Sequence, residues 1–322
     1  MWTAEKPSNI AFIKYMGKLN SAKNKPTNSS LSWTLNHLKT KVVIEKSSGT
    51  EDQWQPLASD YPFEMSPLGR EKYLNHLGRL KTYFGIEGFF TVQSGNNFPA
   101  DCGIASSASS FAALTEAACL AFSELTGREI SVFEKANLSS QGSGSSCRSF
   151  HTGWVLWDGN KVENVQVELG NMLHMVILVG SGTKKVSSSQ AHKIVSSSLL
   201  FEGRSERAET RLDKFVDHLQ NLDWSNLFQL GWEEFYDMHA LFETSNPSFG
   251  YFLPGTITVL NTVREFWQSH GDGPLVTMDA GPNIHMLWRE DQQELALQFF
   301  SESLADKWTC LSDIDGIGFA KV

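Results

Sequence analysis

The stretch that decides the fold runs Asn97-Phe98-Pro99-Ala100-Asp101-Cys102-Gly103-Ile104-Ala105-Ser106-Ser107-Ala108-Ser109-Ser110. Apolar residues then recur at three- and four-residue steps up to Gly127, which predicts a helix that starts at the end of this loop. A helix start has unpaired N–H groups and a partial positive charge, so it is suited to binding phosphate. Gly103 would let phosphate oxygens approach the backbone, and the Ser106 and Ser107 hydroxyls would donate to them or help hold magnesium. A helix cap followed by small residues for close packing explains the loop equally well.

On both sides of this loop, short β-type runs alternate with helical patterns. Runs of β-branched and aromatic residues predict strands at 10–13, 41–45, 89–93, 154–157 and 162–167. The second half begins with an apolar run at 173–179, has helical patterns at about 205–222, 225–243 and 256–269, and ends strand, turn, strand, helix. A Ser-rich segment spans 187–198. Because the composition shifts near 170–185, we predict an α+β chain of two domains, 1–178 and 179–322.

Composition excludes several classes of protein. The 322 residues carry 27 basic and 36 acidic side chains, which gives a formal net charge of −9. Nucleic-acid binding needs clustered Lys and Arg, so we expect no nucleic-acid partner, whereas a small anionic ligand needs only a few local cations. No run approaches the roughly 18 apolar residues of a membrane span, and the N-terminus lacks the pattern of a signal peptide. Four dispersed cysteines and histidines without metal-ligand spacing favour a cytoplasmic protein with free thiols.

Two further segments combine turn residues with a charged side chain. Gln141-Gly142-Ser143-Gly144-Ser145-Ser146-Cys147-Arg148-Ser149 offers backbone donors, hydroxyls and a guanidinium suited to a carboxylate or phosphate. Met278-Asp279-Ala280-Gly281-Pro282-Asn283 places a carboxylate between two apolar runs, where a rigid scaffold often presents a catalytic base. A flexible turn and a plain hairpin explain these segments as well. The segments 7–18, 25–32 and 182–192 are individually typical of solvated loops.

Taken in order, five segments together resemble the mevalonate diphosphate decarboxylases of the GHMP small-molecule kinase superfamily. They are NIAFIKYMGK (9–18), PTNSSLS (26–32), NFPADCGIASSASSFAAL (97–114), GSGSSCRS (142–149) and MDAGPN (278–283). The resemblance implies a GHMP kinase-like two-domain fold, with a ribosomal protein S5 domain 2-like N-terminal domain and a ferredoxin-like C-terminal domain. It also implies a homodimer that uses ATP and Mg²⁺ to phosphorylate the 3-hydroxyl of mevalonate 5-diphosphate, before phosphate and CO2 leave to give isopentenyl diphosphate.

The resemblance also assigns residues to roles. Asp279 would face the 3-hydroxyl as base or orienter, and Lys18 would lie near the transferring phosphate and help hold Asp279 ionised. Arg148 would clamp the substrate carboxylate, and Ser188, with Lys185 nearby, would lie over the reacting end. The substrate pocket would include Tyr15, Asn28, Ser143, Gly144, Ser145 and His192. The ATP phosphates would contact Pro99, Gly103, Ile104, Ala105, Ser106, Ser107, Ala108 and Ser109, with Ser107 as a magnesium ligand.

Three positions depart from the family pattern. The family usually has Trp where this chain has Met16, often has Arg where it has Ser189, and commonly reads Gly-Met where it has Ala191-His192. The missing Arg removes a diphosphate contact that His192 or Lys193 would have to replace. If His192 replaces it, the preference for the diphosphate should return below about pH 6.5, where an unperturbed imidazole gains its charge. A phosphomevalonate decarboxylase, a mevalonate 3-kinase and a catalytically silent binding protein remain as alternatives.

Overall fold

The computed structural model describes residues 1–20, 24–59, 61–99, 106–180 and 185–318. Its strands are β1 (Trp2–Ile13), β2 (Lys18–Asn20), β3 (Lys25–Pro26), β4 (Ser30–Ser47), β5 (Gln53–Pro56), β6 (Phe89–Asn96), β7 (Trp154–Trp157), β8 (Val162–Asn164), β9 (Met172–Leu178), β10 (Leu275–Thr277), β11 (Ile284–Arg289) and β12 (Thr309–Ser312). Its helices are α1 (Pro67–Phe84), α2 (Ser106–Thr126), α3 (Val132–Gly142), α4 (Ser188–Ile194), α5 (Arg204–Gln220), α6 (Trp224–Glu243), α7 (Pro254–His270) and α8 (Gln293–Ser303). This content confirms the predicted α+β class.

A six-stranded sheet built around β4 forms the N-terminal half. The length of β4 lets it pair antiparallel with β1 along most of its course, with β7 at its start and with β6 at its end. Strand β5 adds to β6 in parallel, and β8 adds to β7. Helices α1 and α2 pack on one face of the sheet, where Leu77 and Phe122 meet Val42 and Val92. The sheet therefore holds β1 and the start of α2 at fixed positions.

A four-stranded antiparallel sheet, in the order β10-β11-β9-β12, forms the C-terminal half. Strand β9 pairs with both β11 and β12. The expected domain boundary at residue 178 would separate β9 from these partners. We therefore place the division between the two sheets before Met172, because hydrogen-bonded strands belong to one folding unit.

One hydrophobic core joins the two halves. Phe12 of β1 packs against Trp154 of β7 and Phe215 of α5, with ring centroids 5.4 and 5.8 Å apart. All three side chains are almost completely buried, and burying each one contributes roughly 1.5–3 kcal/mol. This packing fixes the C-terminal end of β1 against helix α5 of the C-terminal half.

Two segments that the sequence suggested were loops are partly helical. The Gly/Ser segment 141–149 comprises the end of α3 and a 3-10 helix, Gly144–Phe150, and the Ser-rich segment 187–198 contains α4. Each α-helix starts with a capping box, Ser131 with Glu134 for α3 and Ser187 with Gln190 for α4. These reciprocal bonds satisfy the free donors of the first turn, which favours a helix despite the polar composition. Among the described residues, no helix has the length and apolarity to cross a membrane.

Candidate active site

The turn between β10 and β11 carries Asp279 and is held from two sides. The Thr277 hydroxyl donates to the Ala11 carbonyl at 2.9 Å, which ties β10 to β1. The Asn283 side-chain oxygen accepts hydrogen bonds from the backbone N–H groups of Val179 and Gly180, the two residues after β9, at 2.8 and 3.0 Å. The predicted hairpin is thus a rigid support, and the Asp279 side chain keeps 27% exposure.

Lys14 contacts Asp279 directly. Its Nζ donates to Asp279 Oδ1 at 2.6 Å, and its side chain is only 3% exposed. Burial lowers the pKa of Lys14, and the adjacent Asp279 carboxylate opposes that shift. The expectation that Lys18 holds Asp279 ionised is therefore corrected, because the structure gives this contact to Lys14. Asn28 is buried and donates to the Lys14 carbonyl at 3.0 Å, so its amide fixes the backbone of this lysine.

Lys18 lies among other cations. Its Nζ donates to Asn24 Oδ1 at 2.7 Å, and the Asn24 amide donates to two backbone carbonyls at the end of α3. Burial lowers the pKa of Lys18, and the charges of Lys72 and Lys193 lower it further. These three ammonium groups from β2, α1 and α4 create a positive region suited to phosphate.

Arg148 is buried without a carboxylate partner in the described part of the chain. Its Nε and Nη2 donate to Asn9 Oδ1 at 3.2 and 3.1 Å, and its Nη1 donates to Ser30 Oγ at 2.6 Å. The Asn9 amide in turn donates to Ser149 Oγ at 2.8 Å. Burial lowers the pKa of Arg148, while the charge of Asp279 raises it. Neutral partners thus orient a guanidinium whose charge remains available to an anionic ligand.

The two Gly/Ser segments meet at their hydroxyls. Ser143 Oγ lies 3.4 Å from Ser107 Oγ at the start of α2 and 3.4 Å from Ser145 Oγ. Between them, a Cβ on Gly144 would collide with the hydroxyl of Tyr15. Only glycine therefore allows this close approach, which brings the backbone of the 3-10 helix to the side chain of Tyr15.

The first turn of α2 presents some predicted phosphate ligands and buries others. Ser107 is exposed and Ser106 is half-buried, whereas Ala108 and Ser109 are buried. The Ser109 hydroxyl shares a 2.6 Å hydrogen bond with Thr40, so its side chain serves packing of the helix on β4. Pro99 is half-buried at the edge of the loop. The predicted ligands Gly103, Ile104 and Ala105 lie outside the described residues.

His192 is neutral in this structure. Its ring stacks on Tyr15 with centroids 4.7 Å apart, and its Nδ1 accepts the Gly17 N–H at 3.1 Å. Burial lowers the pKa of His192 to about 3, and the charge of Lys18 contributes to this shift. His192 therefore carries no charge near pH 6.5 in the free protein. The hypothesis that it replaces the missing arginine beside a bound diphosphate stays a prediction.

Helix α4 adjoins the turn that carries Asp279. Its buried Ala191 packs in one cluster with Met16 and Ala280, and Met16 fills this cluster where the family usually has Trp. Ser188 and Lys185, at and before the start of α4, are exposed. Their side chains are accessible to solvent, and their placement over the reacting end stays a prediction.

Comparison with known proteins identifies the family. The Diphosphomevalonate decarboxylase-like N-terminal domain matches residues 6–166, and the Mevalonate 5-diphosphate decarboxylase C-terminal domain matches residues 174–315. The rat diphosphomevalonate decarboxylase is 31% identical over 320 residues, which cover 90% of this chain and 77% of the rat protein. The chain belongs to the diphosphomevalonate decarboxylase family. The resemblance drawn from the five segments is confirmed.

Solved structures of the family share the fold of this chain. The crystal structure of a mevalonate diphosphate decarboxylase from Legionella pneumophila is 47% identical, with a TM-score of 0.92 and coverage of 96% of this chain and 99% of that one. MDDEF in complex with MVAPP, AMPPCP and magnesium is 27% identical, with a TM-score of 0.86 and coverage of 99% and 97%. The predicted GHMP kinase-like, two-domain architecture is confirmed.

Sequence reasoning missed four residues that the structure places at the site: Lys14, Arg204, Glu234 and His239. Lys14 stands inside the quoted segment 9–18, so its basic side chain at the end of an apolar strand was a usable signal. Arg204 is the first residue of α5, and Glu234 and His239 lie on α6. In the sequence these three are indistinguishable from solvent-facing polar residues of a helix. Only the packing of those helices against β1 brings them to Lys14.

Proposed function

We propose that the chain catalyses the ATP-dependent decarboxylation of mevalonate 5-diphosphate to isopentenyl diphosphate, ADP, phosphate and CO2. The observation that carries the proposal is the contact between Lys14 Nζ and Asp279 Oδ1 at 2.6 Å. The buried Arg148, which makes no ion pair with a carboxylate among the described residues, lies close enough to feel the charge of Asp279. A carboxylate held by an ammonium group is suited to accept or orient a hydroxyl proton. An oriented guanidinium is suited to bind the carboxylate of the same substrate.

The reaction requires Asp279, Lys14 and Arg148 to act on the same substrate molecule. Asp279 takes the proton of the tertiary 3-hydroxyl as its oxygen attacks the terminal phosphorus of ATP, and ADP leaves. The C3–O bond of the phosphorylated product then breaks, and inorganic phosphate departs with the electron pair. The C1–C2 bond supplies electrons to a new C2–C3 double bond, and CO2 is released. Arg148 holds the carboxylate in line, while Lys14 fixes Asp279 and offsets negative charge near the transferring phosphoryl group.

The residues present fit a nucleotide phosphate with its magnesium ion. The start of α2 offers backbone donors, and the Ser107 hydroxyl is exposed within 3.4 Å of Ser143 Oγ. Within the described ranges, no three His, Cys, Asp or Glu side chains are arranged to hold a metal. Mg²⁺ that is bound mainly by phosphate oxygens and water needs few protein ligands, and Ser107 would supply one. MDDEF was solved with an ATP analogue and magnesium, which supports this assignment.

The 5-diphosphate would occupy the region of Lys18 and the serine hydroxyls. Lys18, Lys72 and Lys193 supply positive charge there. Ser143 and Ser145 would donate hydrogen bonds, and the stacked rings of Tyr15 and His192 would line the substrate pocket. Ser188 and Lys185 would cover the reacting end. One observation favours the monophosphate instead, namely Ser189 at the position where the family often has Arg.

The test is to incubate the pure protein with ATP, Mg²⁺ and each mevalonate phosphate in turn, while ADP and CO2 are measured separately. The proposal predicts equal amounts of ADP and CO2 with the 5-diphosphate and a lower kcat/KM with the 5-monophosphate. ADP without CO2 would identify a 3-kinase, and a higher kcat/KM with the monophosphate would identify a phosphomevalonate decarboxylase. The absence of both products would indicate a silent binding protein.

We also propose that the protein acts in the cytoplasm as a homodimer, as the family resemblance implies. Sedimentation equilibrium of the pure protein tests the dimer against the monomer mass of 35.9 kDa. Fractionation of the source cells tests the location.

A further inference from the structure

In the described part of the chain, side chains supply the hydrogen-bond partners of the Lys14 backbone. The ladder between β1 and β4 ends at Ile13, so the next peptide groups need other partners. The Lys14 N–H donates to Glu234 Oε1 at 2.9 Å. The Lys14 carbonyl accepts from Arg204 Nη2 at 3.2 Å and from the Asn28 amide at 3.0 Å. Two of these three residues belong to helices of the C-terminal half, so that half fixes a lysine of the N-terminal half.

Glu234 itself is locked by two guanidinium groups. It is fully buried, its Oε1 pairs with Arg204, and its Oε2 accepts from Arg211 Nη1 at 2.9 Å. Arg211 and Arg207 also bind Asp237 on the next turn of α6. A buried carboxylate with both oxygens occupied has little freedom to move. The acceptor that holds the Lys14 N–H is therefore rigid.

His239 holds the other member of the catalytic pair. Its Nε2 lies 3.2 Å from the Asp279 carbonyl oxygen, and its ring stacks on Phe252 with centroids 4.5 Å apart and planes 6° apart. Burial lowers the pKa of His239 to about 3, so the ring is neutral near pH 7. Since a carbonyl only accepts, the proton resides on Nε2. The Nδ1 of His239 is buried and has no hydrogen-bond partner in the described part of the chain, so the contact with Asp279 is the polar bond that this ring makes.

We propose that Glu234 and His239 are positioning residues and that helix α6 sets the geometry of the Lys14–Asp279 pair. Both lie on one helix, five residues apart, and each binds the backbone of one member of the pair. The inference rests on the proposed function, because it assigns these two residues to the reaction that Asp279 performs. A displacement of about 1 Å at reacting groups can cost as much as 10²-fold in rate.

His239 provides the first test through two variants. His239→Phe keeps an aromatic ring for the Phe252 stack but removes the donor, while His239→Gln keeps an N–H donor near the position of Nε2. We expect His239→Phe to lower kcat for CO2 release by about 10- to 100-fold, with KM for both substrates within threefold of wild type. The acid limb of its kcat–pH profile should move to higher pH, because Asp279 shifts away from the Lys14 ammonium. His239→Gln should recover most of the rate and the wild-type limb.

Glu234 provides the second test, with a matched control on the same helix. Glu234→Gln keeps an oxygen for the Lys14 N–H but loses its charge, and Glu233→Gln removes an exposed carboxylate that lies 3.8 Å from Arg211. We expect Glu234→Gln to lower kcat and shift the acid limb, and Glu233→Gln to match wild type in both.

The outcomes separate the two proposals. If wild type releases no CO2, the proposed function fails before any variant is compared. If wild type is active and folded His239→Phe has kcat within threefold and an unmoved limb, the positioning inference fails. Equal impairment of the Phe and Gln variants without a shift of the limb would assign His239 to packing and would also overturn the inference.

Discussion

The Lys14–Asp279 contact allows a prediction that separates a coupled pair from two independent residues. Lys14→Met keeps the apolar stem of the side chain but removes the ammonium 2.6 Å from Asp279 Oδ1. We expect kcat for CO2 release to fall by about 10²–10⁴-fold, comparable to the loss of a general base. The acid limb of the pH profile should rise by about 1–3 pH units, because an opposite charge at this distance favours the ionised carboxylate by that amount.

The structure also limits the cost in stability. Breaking a buried ion pair typically costs about 3–5 kcal/mol, because the remaining charge is left without a partner or water. Here the group left behind is Asp279, whose side chain is 27% exposed, while the removed Lys14 side chain is 3% exposed. Water therefore solvates the remaining carboxylate, and we expect less than about 3 kcal/mol. Urea unfolding of both proteins measures this difference.

A double-variant cycle decides whether the two side chains act together. Asp279→Asn should lower kcat by about 10²–10⁴-fold while leaving ATP affinity within a few-fold. If the pair is one unit, Lys14→Met/Asp279→Asn should lose no more than the worse single variant. Single-turnover CO2 release is the assay, with Lys18→Met as the matched control, which should mainly raise KM and leave the acid limb in place. Multiplicative losses in the double variant, or a Lys14→Met enzyme within threefold of wild type, would refute the coupling.

Three further predictions concern the surroundings of the pair. Because burial lowers the pKa of His192 to about 3, the kcat/KM ratio of diphosphate to monophosphate should be the same at pH 6 and pH 8, and His192→Ala should leave it independent of pH. Ser107→Leu should weaken ATP binding measured by calorimetry in a folded protein, since a bulky side chain obstructs the start of α2 near Ser143; unchanged affinity would remove this helix start from the nucleotide site. Burial lowers the pKa of His76 to about 3 in the folded protein, against about 6.5 in the unfolded chain. The unfolded chain therefore binds more protons below about pH 6.5. The free energy of unfolding should decrease as the pH is lowered through this range, by up to about 1.4 kcal/mol per pH unit for this residue. Urea unfolding at pH 5 and 6, compared with His76→Gln, should show the flatter dependence in the variant.

Much of the fold was predictable because its signals are local. The helix after the phosphate loop and the hairpin around Asp279 follow from apolar periodicity and turn residues, and both appear as predicted. Strand β4 was recognised only at 41–45, although it spans Ser30–Ser47. Its first half carries Ser30, Ser32 and Thr34 on one face, and all three are buried where β4 lies between its sheet neighbours β1 and β7. Burial by distant strands cannot be derived from the residues of one segment.

The domain boundary shows the same limit at a larger scale. The apolar run that forms β9 was correctly expected to be a buried strand, but its residues alone do not indicate which strands it pairs with. Its pairing with β11 and β12 joins residues more than a hundred positions apart. This long-range pairing places β9 in the C-terminal sheet. A change of composition along the chain carries no information about which strands pair, so it cannot locate the boundary.

The site was predictable in its residue types and less so in its geometry. Lys14 and Lys18 are both basic and stand four residues apart, so the sequence alone does not decide which one contacts Asp279. In the structure, the two lysines are separated at Gly17, whose φ of +104° changes the direction of the chain between the end of β1 and the start of β2. A side chain there would also meet Phe201 at 2.8 Å. Lys14 thereby stays at the end of β1 facing the hairpin, while Lys18 moves onto β2 towards Asn24.

Local charge explains how an acidic protein is suited to a strongly anionic substrate. The whole chain carries a net charge of −9, yet the site gathers Lys14, Lys18 and Arg148, and the charges of Lys72 and Lys193 reach Lys18. Burial lowers the pKa of Lys14, Lys18 and Arg148, because each gives up water without full compensation from carboxylates. A diphosphate and a carboxylate would supply that compensation on binding and would raise the same pKa values. A ligand that carries negative charge at both ends therefore offsets the unfavourable burial of these cations, and the site favours such a ligand over one that lacks these charges.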